Sequence, residues 1–97
     1  MTTSPLFEPL TLPNGSILKN RLAKAATEES LAAYGQVPDI RLNTLYRRWA
    51  EGGAGLLITG NVMISPAAMS GPASVVLQAG TDLAPFRDWA KAGRAGG

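Results

Sequence analysis

The run Gly55-Leu56-Leu57-Ile58-Thr59-Gly60, entered through Gly52-Gly53-Ala54, constrains the fold more than any other feature of the chain. It is short, continuously apolar and bounded by glycines. Such a run reads as a strand buried on both faces, the situation of a parallel sheet. The segment before it is helical. Leu42, Leu45, Tyr46, Trp49 and Ala50 recur at the spacing of one helix face, while Arg41, Arg47, Arg48 and Glu51 fall at other angles and should be solvated. Asp39 stands where a helix cap belongs, and Gly52 and Gly53 where a helix stops. A helix feeding a doubly buried strand requires further strands beside that strand.

The remaining elements are set by local chemistry. Pro13-Asn14-Gly15 separates Leu10-Thr11-Leu12 from Ser16-Ile17-Leu18, and Asn-Gly between short alternating runs predicts a hairpin over about 10–18. Leu22-Ala23-Lys24-Ala25-Ala26 occupies the place of a first strand, although its alanines have little strand propensity. Residues 28–38 read as a loop punctuated by Tyr34-Gly35 and Pro38, and residues 65–74 as another. Val75-Val76-Leu77 is a brief extended piece. Thr81 or Asp82 is placed to cap a second helix that tolerates Pro85 in its first turn, buries Phe86, Trp89, Ala90 and Gly93, and stops at Gly96-Gly97.

Hairpin, strand, helix, strand, helix is the order of an α/β protein built from βαβ units. The units run over about 22–52 and 55–97. Two parallel strands cannot cover their own faces or edges. The 97 residues therefore read as the opening of a larger α/β domain.

Composition narrows the chemistry. With no cysteine and no histidine, the chain has no disulfide, thiolate metal site, cysteine nucleophile or Ser-His-Asp triad of its own. A net charge of +2 announces neither a nucleic acid nor an anionic membrane as partner. Met1 to Pro5 has no signal-peptide pattern, and Leu56 to Ile64 is too short and too interrupted to span a bilayer. A cytoplasmic location is the expectation.

Few residues stand out as reactive. Gly52-Gly53-Ala54-Gly55 runs from helix into strand, the reverse of a phosphate-cradling loop, and reads as a tight αβ turn. Trp49 and Trp89 lie on apolar helix faces and read as core. Arg47-Arg48 reads as a wet helix face. Lys24 is either an inward lysine of lowered pKa or, more ordinarily, one that reaches solvent or an acid. Glu28 and Glu29 are carboxylates suited to acid–base work or simply a solvated pair. Ligands in α/β proteins gather at the carboxyl ends of strands, which singles out 26–28 and 60–61.

Several segments together resemble the Old Yellow Enzyme family of NADH:flavin oxidoreductases, the ene-reductases. They are Leu6-Phe7-Glu8-Pro9-Leu10, Asn14-Gly15, Leu18-Lys19-Asn20-Arg21-Leu22, Lys24-Ala25-Ala26, the run from Leu45 to Leu56, and Ile58-Thr59-Gly60-Asn61-Val62. The resemblance implies the N-terminal part of a (β/α)8 TIM barrel: the floor hairpin and the first two βα units. It implies FMN as cofactor, NAD(P)H as reductant and an activated alkene as the small-molecule substrate. Carried over by position, it puts Ala25, Ala26, Thr27 and Glu28 at the end of the first strand, and Gly60 and Asn61 at the end of the second, beside the flavin. Glu28 departs from the family, in which Thr or Cys commonly holds that place; an ionised carboxylate has no proton to give a flavin carbonyl. The family's catalytic tyrosine, its substrate-anchoring groups and its phosphate-binding loops have no counterpart in these residues, so the chain alone should be inactive. A truncated, non-catalytic interaction module or an inert fragment is the alternative from another class.

Overall fold

The computed structural model describes residues 4–68 and 73–96. Gly71 and Pro72 of the predicted 65–74 loop, and Gly97 as a helix stop, lie outside the described residues.

A single 3-10 turn, Pro5–Phe7, leads into a hairpin of β1 (Leu10–Thr11) and β2 (Ile17–Leu18), antiparallel with Leu10 opposite Leu18. Asn14 closes the turn by accepting from the Ser16 amide at 3.0 Å, and Gly15 takes the left-handed conformation at φ +90°. The Arg21 amide donates to the Leu6 carbonyl at 2.8 Å and ties the 3-10 turn to the segment beyond the hairpin.

Next come β3 (Ala23–Lys24), helix α1 (Ile40–Glu51) and β4 (Leu56–Leu57). The two strands pair in parallel, Ala23 with Leu56 and Lys24 with Leu57. This is the βαβ unit that the apolar run demands, because parallel neighbours need a crossover and α1 supplies it. Only Ala23 and Lys24 of the predicted 22–26 strand form β3, and Ala23 is extended against its own preference: the strand is held by its partner rather than by propensity. Asp39 caps α1 by accepting from the Arg41 amide at 3.0 Å. Leu42, Tyr46 and Ala50 are the buried stripe of α1, while Arg41, Arg47 and Arg48 are exposed.

The turn from α1 to β4 explains its glycines. Gly53 adopts φ +105°, which a side-chain-bearing residue rarely does. A Cβ on Gly55 would lie 2.6 Å from the Asn20 carbonyl oxygen, and the Asn20 side-chain Nδ2 donates to the Gly53 carbonyl at 2.6 Å. The turn is a packing device between the hairpin and the parallel pair.

A second parallel pair, β5 (Val62–Met63) with β6 (Val75–Val76), lies a few residues beyond β4. The sequence shows Val75 and Val76 as extended but not their partner. Val62-Met63 looks like the tail of the preceding apolar run, and only tertiary pairing makes it a separate strand. A 3-10 turn, Pro66–Ala68, lies between the two.

Helix α2 (Ala84–Gly93) packs on α1. Its boundary residue is Leu83, which makes no side-chain cap. The capping chemistry comes from Asp82, whose Oδ1 accepts from the Ala84 amide at 3.0 Å. Thr81 instead closes the preceding turn by accepting from the Gln78 amide. The buried residues of α2 are Trp89 and Ala92; Ala90, predicted on that face, is exposed. The helix also stops earlier than its glycines predict, at Gly93, and Gly96 then presses on the Ala50 carbonyl at the end of α1.

The core is one cluster of Ala32, Leu42, Tyr46, Val75 and Trp89, flanked by Leu31, Trp49, Leu57, Val62, Ala73 and Phe86. Tyr46 is its hub, edge-on to Trp49 at 5.0 Å and to Trp89 at 5.3 Å between ring centres. Only the helix side of the parallel pair is covered in this way. Leu56 and Ile58 stay 40% and 45% exposed. The radius of gyration, 15.2 Å, exceeds the roughly 13 Å of a compact domain of about 100 residues.

Candidate functional site at the strand ends

The carboxyl ends of β3 and β4 lie side by side, and both predicted site segments leave from them. Ala25, Ala26, Thr27 and Glu28 are exposed, as is Asn61; Gly60 is buried. The two segments touch where Thr27 meets Gly60. A Cβ on Gly60 would overlap both the Thr27 carbonyl oxygen and Glu29 Oε1, so only glycine lets the strand ends approach this closely.

The acid that organises this region is Glu29, not Glu28. Glu29 Oε2 accepts a hydrogen bond from the Tyr46 hydroxyl and another from the Gly60 amide at 3.1 Å. The adjacent-acid pattern reads as a solvated pair, which overlooks this role. A signal for it was present: a tyrosine on the apolar stripe of a helix brings a hydroxyl that needs a partner once buried. Tyr46 is 2% exposed. Burial, reinforced by the hydrogen bond and the negative charge of Glu29, pushes its phenol well above the ordinary value and holds it protonated.

Lys24 takes a third course beyond the two that the sequence offers. Its ammonium donates to the Ala25 carbonyl at 2.6 Å and to the Ile58 carbonyl at 2.9 Å, bridging the ends of both strands. It also rests over the Trp49 ring, 4.5 Å from its centre. Trp49 and Trp89 belong to the core, as their helix positions predict. Among the described residues no group of three or more His, Cys, Asp or Glu could hold a metal ion, and no helix is long and apolar enough to cross a membrane.

Ala25 and Ala26 are small and exposed, and Ile58, beyond the end of β4, is 45% exposed.

Comparison with known proteins agrees with the resemblance read from the sequence. No family model matches the chain. Over 56 residues it is 48% identical to the NADH-dependent flavin oxidoreductase iliE of Hypocrea jecorina (strain QM6a), a match covering 58% of this chain and 14% of that protein. In fold it is similar to morphinone reductase in complex with tetrahydroNAD, with a TM-score of 0.81 and 26% identity over 98% of this chain and 25% of that one. The Old Yellow Enzyme homologue of Zymomonas mobilis has the same TM-score at 23% identity, covering 97% of this chain and 26% of its own. The chain thus spans about a quarter of the solved barrels and a smaller share of the curated relative.

Proposed function

We infer that this chain is the part of an Old Yellow Enzyme-type flavin oxidoreductase that supplies the floor hairpin and the first two βα units of the barrel, and with them one wall of an FMN site. The observation that supports this most is the meeting of the ends of β3 and β4 at Thr27 and Gly60, with small exposed residues on either side. Ala25, Ala26, Thr27, Glu28, Gly60 and Asn61 would line the cofactor. Gly60 is the backbone that brings the strand ends together, its amide already committed to Glu29. Bound there, FMN would supply hydride transfer from NAD(P)H to an activated alkene.

The chain's own contribution is positional. Ala25 and Ala26 present small side chains against which a flat ring can lie. Lys24 satisfies the first carbonyls beyond both strands, those of Ala25 and Ile58, from the helix side and keeps a positive charge just behind the strand ends. Glu28, exposed beyond the end of β3, would bring a carboxyl group where a hydroxyl or thiol could donate to the flavin. No residue in the chain stands as proton donor to the substrate.

The test has two parts. The intact protein carrying this chain should hold FMN and reduce an enone with NADPH or NADH. Residues 1–97 alone should not turn over the enone with added FMN and NADPH. An intact protein without flavin or enone reduction would reject the assignment; turnover by residues 1–97 would reject the division of labour.

A further inference from the structure

Three elements converge on the side chain of Glu29. It lies beyond the end of β3, accepts from the Tyr46 hydroxyl of α1, and accepts from the amide of Gly60 beyond β4. Both donors are rigidly placed. The Tyr46 ring is fixed edge-on between Trp49 and Trp89. Gly60 has no space for a side chain, because the Thr27 carbonyl and the Glu29 carboxylate already fill it. An acceptor held by two fixed donors is itself fixed, and it carries the adjoining 27–28 backbone with it.

We propose that Glu29 is a positioning residue of the cofactor site: its carboxylate pins the end of β3 to the end of β4 and so sets the separation of the surfaces formed by 25–28 and 60–61. This rests on the FMN reading above and adds to it a residue that need not touch the cofactor. A carboxylate suits the task because it only accepts, and both groups facing it only need to donate. Lys24 bridges the same two strands from the helix side through the Ala25 and Ile58 carbonyls, so the pair is held on both flanks. The alternative role for an acid here, proton transfer to substrate, fits poorly with a carboxylate already engaged by two donors.

The experiment measures FMN affinity of the intact apoprotein by quenching of flavin fluorescence, with circular dichroism confirming folded protein at the working temperature. Glu29→Ala should weaken FMN binding at least tenfold and alter the visible absorption band of the bound flavin. Glu29→Gln, which keeps an acceptor, should stay within about threefold of wild type. Asp39→Ala, which removes the α1 cap without removing a partner of Glu29, Tyr46 or Gly60, should leave affinity unchanged although it lowers stability. If Glu29→Ala does not fold, Tyr46→Phe takes its place, with an intermediate loss of affinity expected. Wild-type affinity in a folded Glu29→Ala, or in Tyr46→Phe where that replaces it, overturns the proposal. So does an equal loss in Asp39→Ala. A wild-type protein that binds no FMN overturns the cofactor reading and this proposal with it; a wild type that binds FMN beside indifferent variants overturns this proposal alone.

Discussion

Replacing Gly60 by alanine tests the meeting of the strand ends through stability alone. The added Cβ would overlap the Thr27 carbonyl oxygen and the Glu29 carboxylate, and backbone on one side cannot swing away. Forcing atoms into such a contact costs about 1–3 kcal/mol. The strand ends must then separate, which strains the 3.1 Å bond from the Gly60 amide to Glu29; a hydrogen bond to a charged group contributes about 1.5–3 kcal/mol. Against this, alanine restricts the unfolded chain and returns about 0.4–1 kcal/mol. The net expectation is a loss of about 1.5–5.5 kcal/mol. Gly93 provides the opposite case. It lies in α2 with nothing within 4 Å of a Cβ placed on it, so Gly93→Ala should stabilise by up to about 1 kcal/mol through helix propensity. Urea unfolding of the two variants beside wild type gives both numbers. A Gly60→Ala protein as stable as wild type would refute the steric reasoning, and a destabilised Gly93→Ala would refute the claim of open space.

Three further outcomes can be checked in the same preparations. Because the phenol of Tyr46 is held above its ordinary value of about 10, the unfolded state releases that proton first as pH rises. Stability should therefore decline from about pH 10 upward, and Tyr46→Phe should flatten the decline in urea midpoints measured across that range. Asp39→Ala should cost about 1 kcal/mol of stability through loss of the helix cap, with little of it from the exposed Asp39–Arg41 ion pair; melts in high salt should leave the loss nearly unchanged. Lys24→Met removes the bridge between the Ala25 and Ile58 carbonyls and the stacking on Trp49, so hydrogen exchange should speed up at the β3–β4 pair while the β1–β2 hairpin is unaffected.

What the sequence made legible was set by local rules. Asn14-Gly15 specifies its turn by backbone conformation, the Leu42–Ala50 stripe specifies α1 by its period, and the glycine-bounded run specifies the strand Leu56–Leu57, although the burial on both faces that it predicts is not met: Leu56 and Ile58 stay 40% and 45% exposed. What stayed hidden was set by contacts between distant segments. Val62-Met63 has no periodicity to distinguish it from the run before it, and becomes a strand only because Val75-Val76 lies alongside. Leu83 stands at the start of α2 because Thr81 is used in its own turn and Asp82 reaches forward to Ala84. Position at the strand ends singles out 26–28 and 60–61, and resemblance adds Ala25 and the cofactor, whereas the role of Glu29 emerges only once Tyr46 and Gly60 converge on it. The glycine at 60 was legible as a strand end; its tight space was not.

The most direct test is native mass spectrometry of the intact protein captured from its own cells. The expected result is a polypeptide several times heavier than 10.1 kDa carrying one equivalent of non-covalent FMN. A protein of that size without flavin, or one carrying a different cofactor at this site, would contradict the FMN assignment.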